Sequence, residues 1–164
     1  MHQSPVQSVF KDAFEVRDYF APLRAAGKKL VTTNGCFDIL HMGHMMYLAE
    51  AKKLGDILVV GINSDESVRK LKGPSRPFQN ESDRLLLIGS LRMVDAAFIF
   101  GEDDPRAFLE IVRPDVHVKG GDYTRDILEK EVVLRHGGRV EIVPFVKGYS
   151  TTSIVEKIRS PNPP

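Results

Sequence analysis

The sequence of 164 residues has little of what marks several large classes of protein. It contains one cysteine, Cys36, and no tryptophan. A single cysteine excludes an intrachain disulfide and a metal site built from clustered cysteines. No apolar run approaches the roughly 18 residues of a membrane-spanning helix, and the amino-terminal residues lack the basic and apolar regions of a signal peptide. We therefore expect a cytoplasmic protein that does not bind membranes.

An excess of charge of one sign is also missing. Lys and Arg number 23 and Asp and Glu number 22, which gives a formal net charge of +1. Binding to nucleic acid through bulk charge is therefore not expected. Hydrophobic residues make up 42% of the chain and charged residues 27%, the balance of an ordinary folded protein. At this length we expect one domain.

What the sequence does contain is an alternation of strand-like and helix-like segments. Runs rich in valine and isoleucine predict five buried strands, over residues 29–33, 57–63, 96–100, 116–119 and 140–144. Spacing and capping residues predict helices over 10–26, 43–54, 65–71, 81–91, 105–112, 129–136 and from 153 onward. This order predicts an α/β fold, a single Rossmann-like doubly wound domain with a five-stranded parallel sheet. We expect that domain to span residues 28–159, after an N-terminal helical extension (1–27) and before a disordered tail (160–164).

Two histidines with a glycine between them follow the first predicted strand and open the next helix. His41 and His44 would lie beside the unpaired N–H groups of a helix N-terminus, where anions bind favourably. Gly43 has no Cβ and would let a phosphate approach the backbone. The pattern therefore indicates a phosphate site at the carboxyl end of the sheet, where open parallel sheets bind ligands.

Two further clusters follow later strands. Gly121 and Asp122 come after the fourth strand, where a glycine permits close backbone approach and an aspartate can accept hydrogen bonds from a ribose or a base amine. A Ser-Thr-Thr run at residues 150–152 precedes the last helix. A capping box that starts at Ser153 would leave the hydroxyl and N–H groups of this run for an anion.

The run His-Met-Gly-His at residues 41–44 resembles the HxGH nucleotidyltransferase superfamily. The resemblance implies that His41 and His44 contact nucleotide phosphates and stabilise the charge that develops at the α-phosphate, with Lys72 as a third catalytic residue. It also implies that the nucleotide is bound by the loop after the first strand, by the glycine of the motif and by the two later clusters. These residues are Thr33, Asn34, Gly35, Cys36, Phe37, Gly43, Gly121, Asp122, Ser150, Thr151 and Thr152.

Residues around the irregular loop at 73–80 are expected to bind the second substrate. They are Asp38, Asn63, Lys72, Arg76 and Arg84. Lys72 and Arg84 match basic positions that neutralise phosphates in the superfamily, and Arg76 matches less closely. Asp38 is better suited to orienting the loop or a histidine than to acting as a base. Cys36 also fits the role of a small buried hydrophobic residue.

Longer stretches resemble one group within the superfamily, the adenylyltransferases of bacterial ADP-heptose synthesis. The matching runs include residues 33–41, 60–65 and 119–123, and the similarity covers residues 28–159. The resemblance implies transfer of AMP from ATP to the sugar phosphate D-glycero-β-D-manno-heptose 1-phosphate, with Mg²⁺ accompanying ATP and no metal ligands among the site residues. It also implies a stand-alone form served by a separate kinase, and a homodimer or other homo-oligomer.

Two alternatives stay open on the sequence. A cytidylyltransferase acting on glycerol 3-phosphate would share the HxGH region, but such enzymes carry an arginine in the segment before the last helix, and residues 145–149 contain none. A nucleotide-binding sensor or a flavodoxin-like electron carrier could use the same sheet without any transfer. An electron carrier, however, has no need of the paired His41 and His44.

Overall fold

Five parallel strands form one sheet in the computed structural model, which describes residues 8–121, 128–144 and 146–160. The strands of these described ranges are β1 (Leu30–Gly35), β2 (Ile57–Asn63), β3 (Ala96–Phe100), β4 (Val116–Gly120) and β5 (Arg139–Val143). Their order across the sheet is β3-β2-β1-β4-β5. From β1 the chain adds β2 and β3 on one side of the sheet and then β4 and β5 on the other. The order therefore switches between β1 and β4, and a doubly wound sheet opens a crevice for ligands at this switch point. The predicted fold class is confirmed.

Seven helices flank the sheet within the same described ranges. They are α1 (Ala13–Ala25), α2 (Met42–Lys52), α3 (Asp65–Lys72), α4 (Glu81–Gly89), α5 (Arg106–Val112), α6 (Glu129–Arg135) and α7 (Thr151–Arg159). Side-chain caps fix several of their starts: Asn80, for example, accepts a hydrogen bond from the Asp83 N–H at the start of α4. No helix in the described part of the chain is long and apolar enough to cross a membrane.

The two faces of the sheet carry separate hydrophobic clusters because strand side chains alternate between faces. On one face, α1, α5 and α6 pack through residues such as Phe20, Phe108 and Val133 against Leu30 and Val59. On the other face, α2 and α4 pack through residues such as Leu48 and Ile88. The carboxyl ends of β1 and β4 therefore have α2 on one side and α5 and α6 on the other.

The amino-terminal segment belongs to the core of the domain. The Phe10 N–H donates to the Ala97 carbonyl at 2.9 Å, and the Ala97 N–H donates to the Ser8 carbonyl at 2.7 Å. This pairing adds a short parallel bridge at the free edge of β3, so α1 begins only at Ala13, where Asp12 caps it. Val16 of α1 is fully buried. The segment predicted as an extension thus supplies part of one hydrophobic cluster.

We predict that two phenylalanines of α1 differ sharply in their contribution to stability. Phe20 is 4% exposed, whereas Phe14 on the same helix is 52% exposed. Phe20→Ala should lower the free energy of unfolding by about 3–5 kcal/mol, because it opens a cavity in the core. Phe14→Ala should cost at most about 1 kcal/mol. Urea denaturation of both variants makes the comparison, and equal losses would contradict the placement of α1 in the core.

Candidate active site

The histidine pair lies where β1 leads into α2. His41 is the N-cap residue of α2, with an extended backbone, and its side chain makes no capping hydrogen bond. The rings of His41 and His44 stack with centroids 3.8 Å apart and an interplanar angle of 22°. The Nδ1 atoms of both rings are buried and have no hydrogen-bond partner within the described part of the chain. The pair thus presents polar ring atoms next to the positive end of a helix dipole.

Both imidazoles are neutral at neutral pH. Burial lowers the pKa of His44 to about 4, and the neighbouring His41 contributes to the shift. Burial also lowers the pKa of His41. A phosphate bound beside the rings would favour their protonated forms, because an opposite charge raises the pKa of a histidine. The pair is therefore suited to binding an anion and to stabilising additional negative charge on it.

The residues before the motif hold the His44 ring in place. Phe37 has a left-handed backbone with φ of 46°, and its buried ring meets His44 edge to face at 5.3 Å. A Cβ on Gly35 would lie 3.0 Å from the Phe37 ring, so this position leaves little room for a larger residue. Gly35 and Phe37, predicted to bind the nucleotide, also support the histidine pair by packing.

The start of α7 lies against the histidine motif. A Cβ on Gly43 would lie 3.0 Å from both the His41 ring and the Cβ of Tyr149. The Thr151 hydroxyl donates to the Ile39 carbonyl at 3.5 Å. The structure therefore brings together two clusters that are more than 100 residues apart in sequence, as the predicted phosphate site requires. Tyr149 was missed, since nothing in its local sequence marks it.

The predicted capping box of α7 is wrong. The N-cap is Ser150, whose Oγ accepts from the Ser153 N–H at 3.0 Å, and Ser153 completes the box from the N3 position. A serine occurs at both positions, so the sequence pattern fits two registers. Because the Ser150 oxygen is used as a cap, Thr152 and the backbone of the first turn are better placed than Ser150 to meet an anion.

Asp38 fixes the irregular loop at 73–80 to the loop after β1. Its carboxylate is only 2% exposed. It accepts hydrogen bonds from Arg76 Nε at 2.5 Å, from the Phe78 N–H at 2.7 Å and from the Gln79 N–H at 3.0 Å. With these partners Asp38 orients the loop, the role that the sequence favours for it; its predicted contact with substrate stays a prediction. Arg76 has the same role, since its guanidinium contacts Asp38 and covers the Phe78 ring.

Arg84 and Asn63, both predicted to bind substrate, are buried side chains that join the elements beside the histidine motif; a contact of either residue with substrate stays a prediction. Arg84 is fully buried. Its guanidinium donates to Cys36 O at 2.6 Å, to Gln79 O at 3.0 Å and to Asp65 Oδ1 at 2.8 Å. Asn63 is buried, and its Nδ2 donates to Ser67 Oγ at 3.0 Å. Three of the five guanidinium N–H groups of Arg84 and one of the two amide N–H groups of Asn63 therefore donate within the protein.

Lys72 remains a candidate to contact substrate. It is the last residue of α3 and its side chain is exposed. Burial raises the pKa of the Cys36 thiol, and the cations of Lys72, Arg84 and Arg76 partly offset that shift. Arg84 and Arg76 contact the loop after β1 directly, through Cys36 O and Asp38, and Lys72 is near enough to influence the Cys36 thiol. Cys36 itself is half-buried among them.

The remaining predicted nucleotide residues lie at the ends of β1 and β4. Thr33 Oγ1 lies 2.6 Å from the Tyr47 hydroxyl and 3.0 Å from the Val118 carbonyl, so its side chain joins β1, β4 and α2. The Gly121 N–H donates to the Val143 carbonyl at 3.0 Å. The backbone of Gly121 has a positive φ of 125°. Asp122 lies outside the described residues. Tyr47 was missed because its partners are distant in sequence.

One buried ion pair near the site was also missed. Lys119, the last side chain of β4, binds Glu129 of α6 at 2.6 Å, and both side chains are largely buried. The two residues are ten positions apart and lie in different elements, so no helical or strand periodicity in the sequence indicates the pair. Among the described residues no group of three or more His, Cys, Asp or Glu side chains could hold a metal ion.

We predict that Arg84→Lys reduces stability rather than substrate affinity. Lysine cannot reproduce the planar three-way contact, so buried acceptors lose their partners at a total cost of about 2–4 kcal/mol. Thermal and urea denaturation should show this loss. The control is Arg69→Lys on the exposed face of α3, which should leave stability unchanged. A variant that keeps wild-type stability but binds ATP weakly would restore the phosphate-binding role of Arg84.

Comparison with known proteins assigns the family. The family model described as "Cytidylyltransferase-like" matches residues 32–157. Among curated proteins, the Bifunctional protein HldE of Geotalea uraniireducens is 54% identical over 138 residues, covering 84% of this chain and 28% of its own length. HldE of Nitratiruptor sp. is 45% identical over 161 residues, covering 98% of this chain and 34% of its own. The chain thus spans about a third of the length of these relatives.

A solved structure has the same fold. The lipopolysaccharide core biosynthesis protein from Thermoplasma volcanium GSS1 superposes with a TM-score of 0.62 at 38% sequence identity. The match covers 76% of this chain and 100% of that protein. The family match extends from β1 to α7 and includes both the histidine pair and the Ser-Thr-Thr run. The chain belongs to the cytidylyltransferase-like family of nucleotidyltransferases.

Proposed function

We propose that the protein transfers AMP from ATP to D-glycero-β-D-manno-heptose 1-phosphate, giving ADP-heptose and pyrophosphate. The observation that carries the proposal is the stacked, buried pair of His41 and His44 at the start of α2, with α7 beside it. The sequence resemblance to ADP-heptose adenylyltransferases supports the choice of substrates. Relatives named HldE, and a neighbour named for lipopolysaccharide core biosynthesis, agree with that choice.

In the proposed reaction a phosphate oxygen of the sugar 1-phosphate attacks the α-phosphorus of ATP in line. The new P–O bond forms as the bond to the β-phosphate oxygen breaks, and pyrophosphate leaves with the electron pair. A phosphate monoester has a second pKa of about 6, so it is a dianion at neutral pH and needs no general base. Catalysis then consists of positioning and charge stabilisation.

The chain's own residues supply those two effects. His41 and His44 contact the α-phosphate region and stabilise the charge that develops there. The first turn of α7, with Thr151 and Thr152, faces the β- and γ-phosphates through its N–H groups. Lys72 neutralises a phosphate from the rim of the loop after β1. Mg²⁺ enters as part of the substrate, bound to the phosphates of ATP and to water.

The acceptor reaches the site as the product of a kinase that phosphorylates the anomeric hydroxyl. We expect the protein to act in the cytoplasm, where ATP is made, and to form a homodimer or other homo-oligomer. Gel filtration with light scattering measures the oligomeric state directly.

Pyrophosphate release tests the proposed function. Purified protein with Mg²⁺ is given ATP or CTP, each paired with heptose 1-phosphate or glycerol 3-phosphate. We expect release only from ATP with heptose 1-phosphate. In the same assay His41→Ala and His44→Ala should each lower kcat by about 100-fold or more, because charge stabilisation in the transition state is lost.

The matched control is His136→Ala, which removes a histidine that ends α6 and binds Glu110 at 2.6 Å. This variant should keep wild-type turnover. Pyrophosphate release only from CTP with glycerol 3-phosphate would instead identify a cytidylyltransferase that acts on glycerol 3-phosphate. Full activity in both site variants would contradict the mechanism.

A further inference from the structure

Asn34 is the penultimate residue of β1 and faces away from the histidine pair. Strand side chains alternate, and Thr33 points toward Tyr47 of α2. Thr32 and Asn34 therefore point to the opposite face, where α5 and α6 pack. Leu30, on the same face of β1, confirms this direction because it belongs to the hydrophobic cluster with Phe108 of α5 and Val133 of α6. Thr32 Oγ1 lies 2.8 Å from Nδ1 of the buried His117. Asn34 thus lies near the carboxyl end of β1, on the α5 and α6 side of the sheet.

The side-chain oxygen of Asn34 has no hydrogen-bond partner among the described residues. Asn34 Oδ1 is buried and accepts no hydrogen bond within the described part of the chain. Its neighbour across the sheet in β2 is Gly61, which has no side chain to donate. By contrast Asn63, at the end of β2, is bonded to Ser67. Most buried side-chain polar atoms have a partner, and a buried acceptor without one costs about 1–3 kcal/mol.

The in-line geometry of the proposed reaction determines which of the two substrates lies next to Asn34 Oδ1. The attacking and leaving oxygens lie on opposite sides of the α-phosphorus. The leaving pyrophosphate is bound on the side of α2 and α7, where the histidines and the Ser-Thr-Thr run lie. The acceptor must then approach from the side of α5 and α6, which is the side that Asn34 faces.

We propose that Asn34 Oδ1 accepts a hydrogen bond from a hydroxyl of the acceptor sugar and so selects a polyhydroxylated acceptor. This inference rests on the proposed function, because it uses the direction of attack. The donor it requires is an O–H group, which a sugar 1-phosphate offers at several carbons. The ribose hydroxyls and the adenine amine of ATP offer the same chemistry, so the test separates the two substrates.

The test compares wild type with Asn34→Ala on heptose 1-phosphate and on a set of its analogues, each lacking one hydroxyl. The KM for heptose 1-phosphate should rise roughly tenfold, the size of one hydrogen bond, while the KM for ATP stays within twofold. On one analogue the two proteins should have equal kcat/KM, since the partner hydroxyl is already absent. Equilibrium titration of the sugar phosphate gives the same comparison without turnover.

Three outcomes would overturn the inference. They are a raised KM for ATP alone, equal losses on every analogue, and no change at all. A wild-type protein that neither binds nor converts heptose 1-phosphate would instead overturn the proposed function itself.

Thr32→Val is the matched control on the same face of the same strand. It removes the partner of His117 Nδ1 deeper in the core. Its melting temperature should fall while both KM values stay at wild-type levels. A raised KM for the sugar phosphate in Asn34→Ala, against a lowered melting temperature with unchanged KM values in Thr32→Val, distinguishes a substrate contact from a loss of packing.

Discussion

The loop after β1 depends on two buried charges. Asp38 binds the backbone and side chain of the loop at 73–80, and Arg84 binds the carbonyls of Cys36 and Gln79 together with Asp65. Each charge is nearly or fully enclosed, so each would be costly without its partners. With them satisfied, the loop after β1, the start of α3 and the loop at 73–80 are joined into one wall beside the loop that leads to the histidine motif.

This wall explains how a neutral histidine pair can serve a highly charged substrate. Phe37 and Gly35 fix the His44 ring, and burial keeps both imidazoles uncharged until an anion arrives. Groups that are already in position need no reorganisation as charge develops. In the proposed reaction the remaining positive potential comes from the start of α2, the start of α7 and Lys72, which would bind the triphosphate and the pyrophosphate that leaves.

The sequence predicts the sheet well because buried parallel strands and their helices leave strong periodic signals, and the histidine motif predicts the place of the site. It predicts the wall poorly. Arg84 has the right charge for a phosphate ligand, yet two of its three partners lie 48 and 19 residues away. The start of α7 was misplaced because Ser150 and Ser153 both fit a cap. The pairing of Ser8 and Phe10 with β3 depends on tertiary contact alone.

Proton uptake on nucleotide binding tests most directly whether the phosphates lie against the histidine pair. Calorimetric titration of preformed Mg-ATP at pH 6, in two buffers of different ionisation enthalpy, measures the protons taken up. His44 has a pKa of about 4 in the free protein, so it starts uncharged, and a neighbouring phosphate raises that pKa. We predict net uptake by the wild type and much less by His44→Gln. Equal uptake by the two proteins would contradict a phosphate site at this pair.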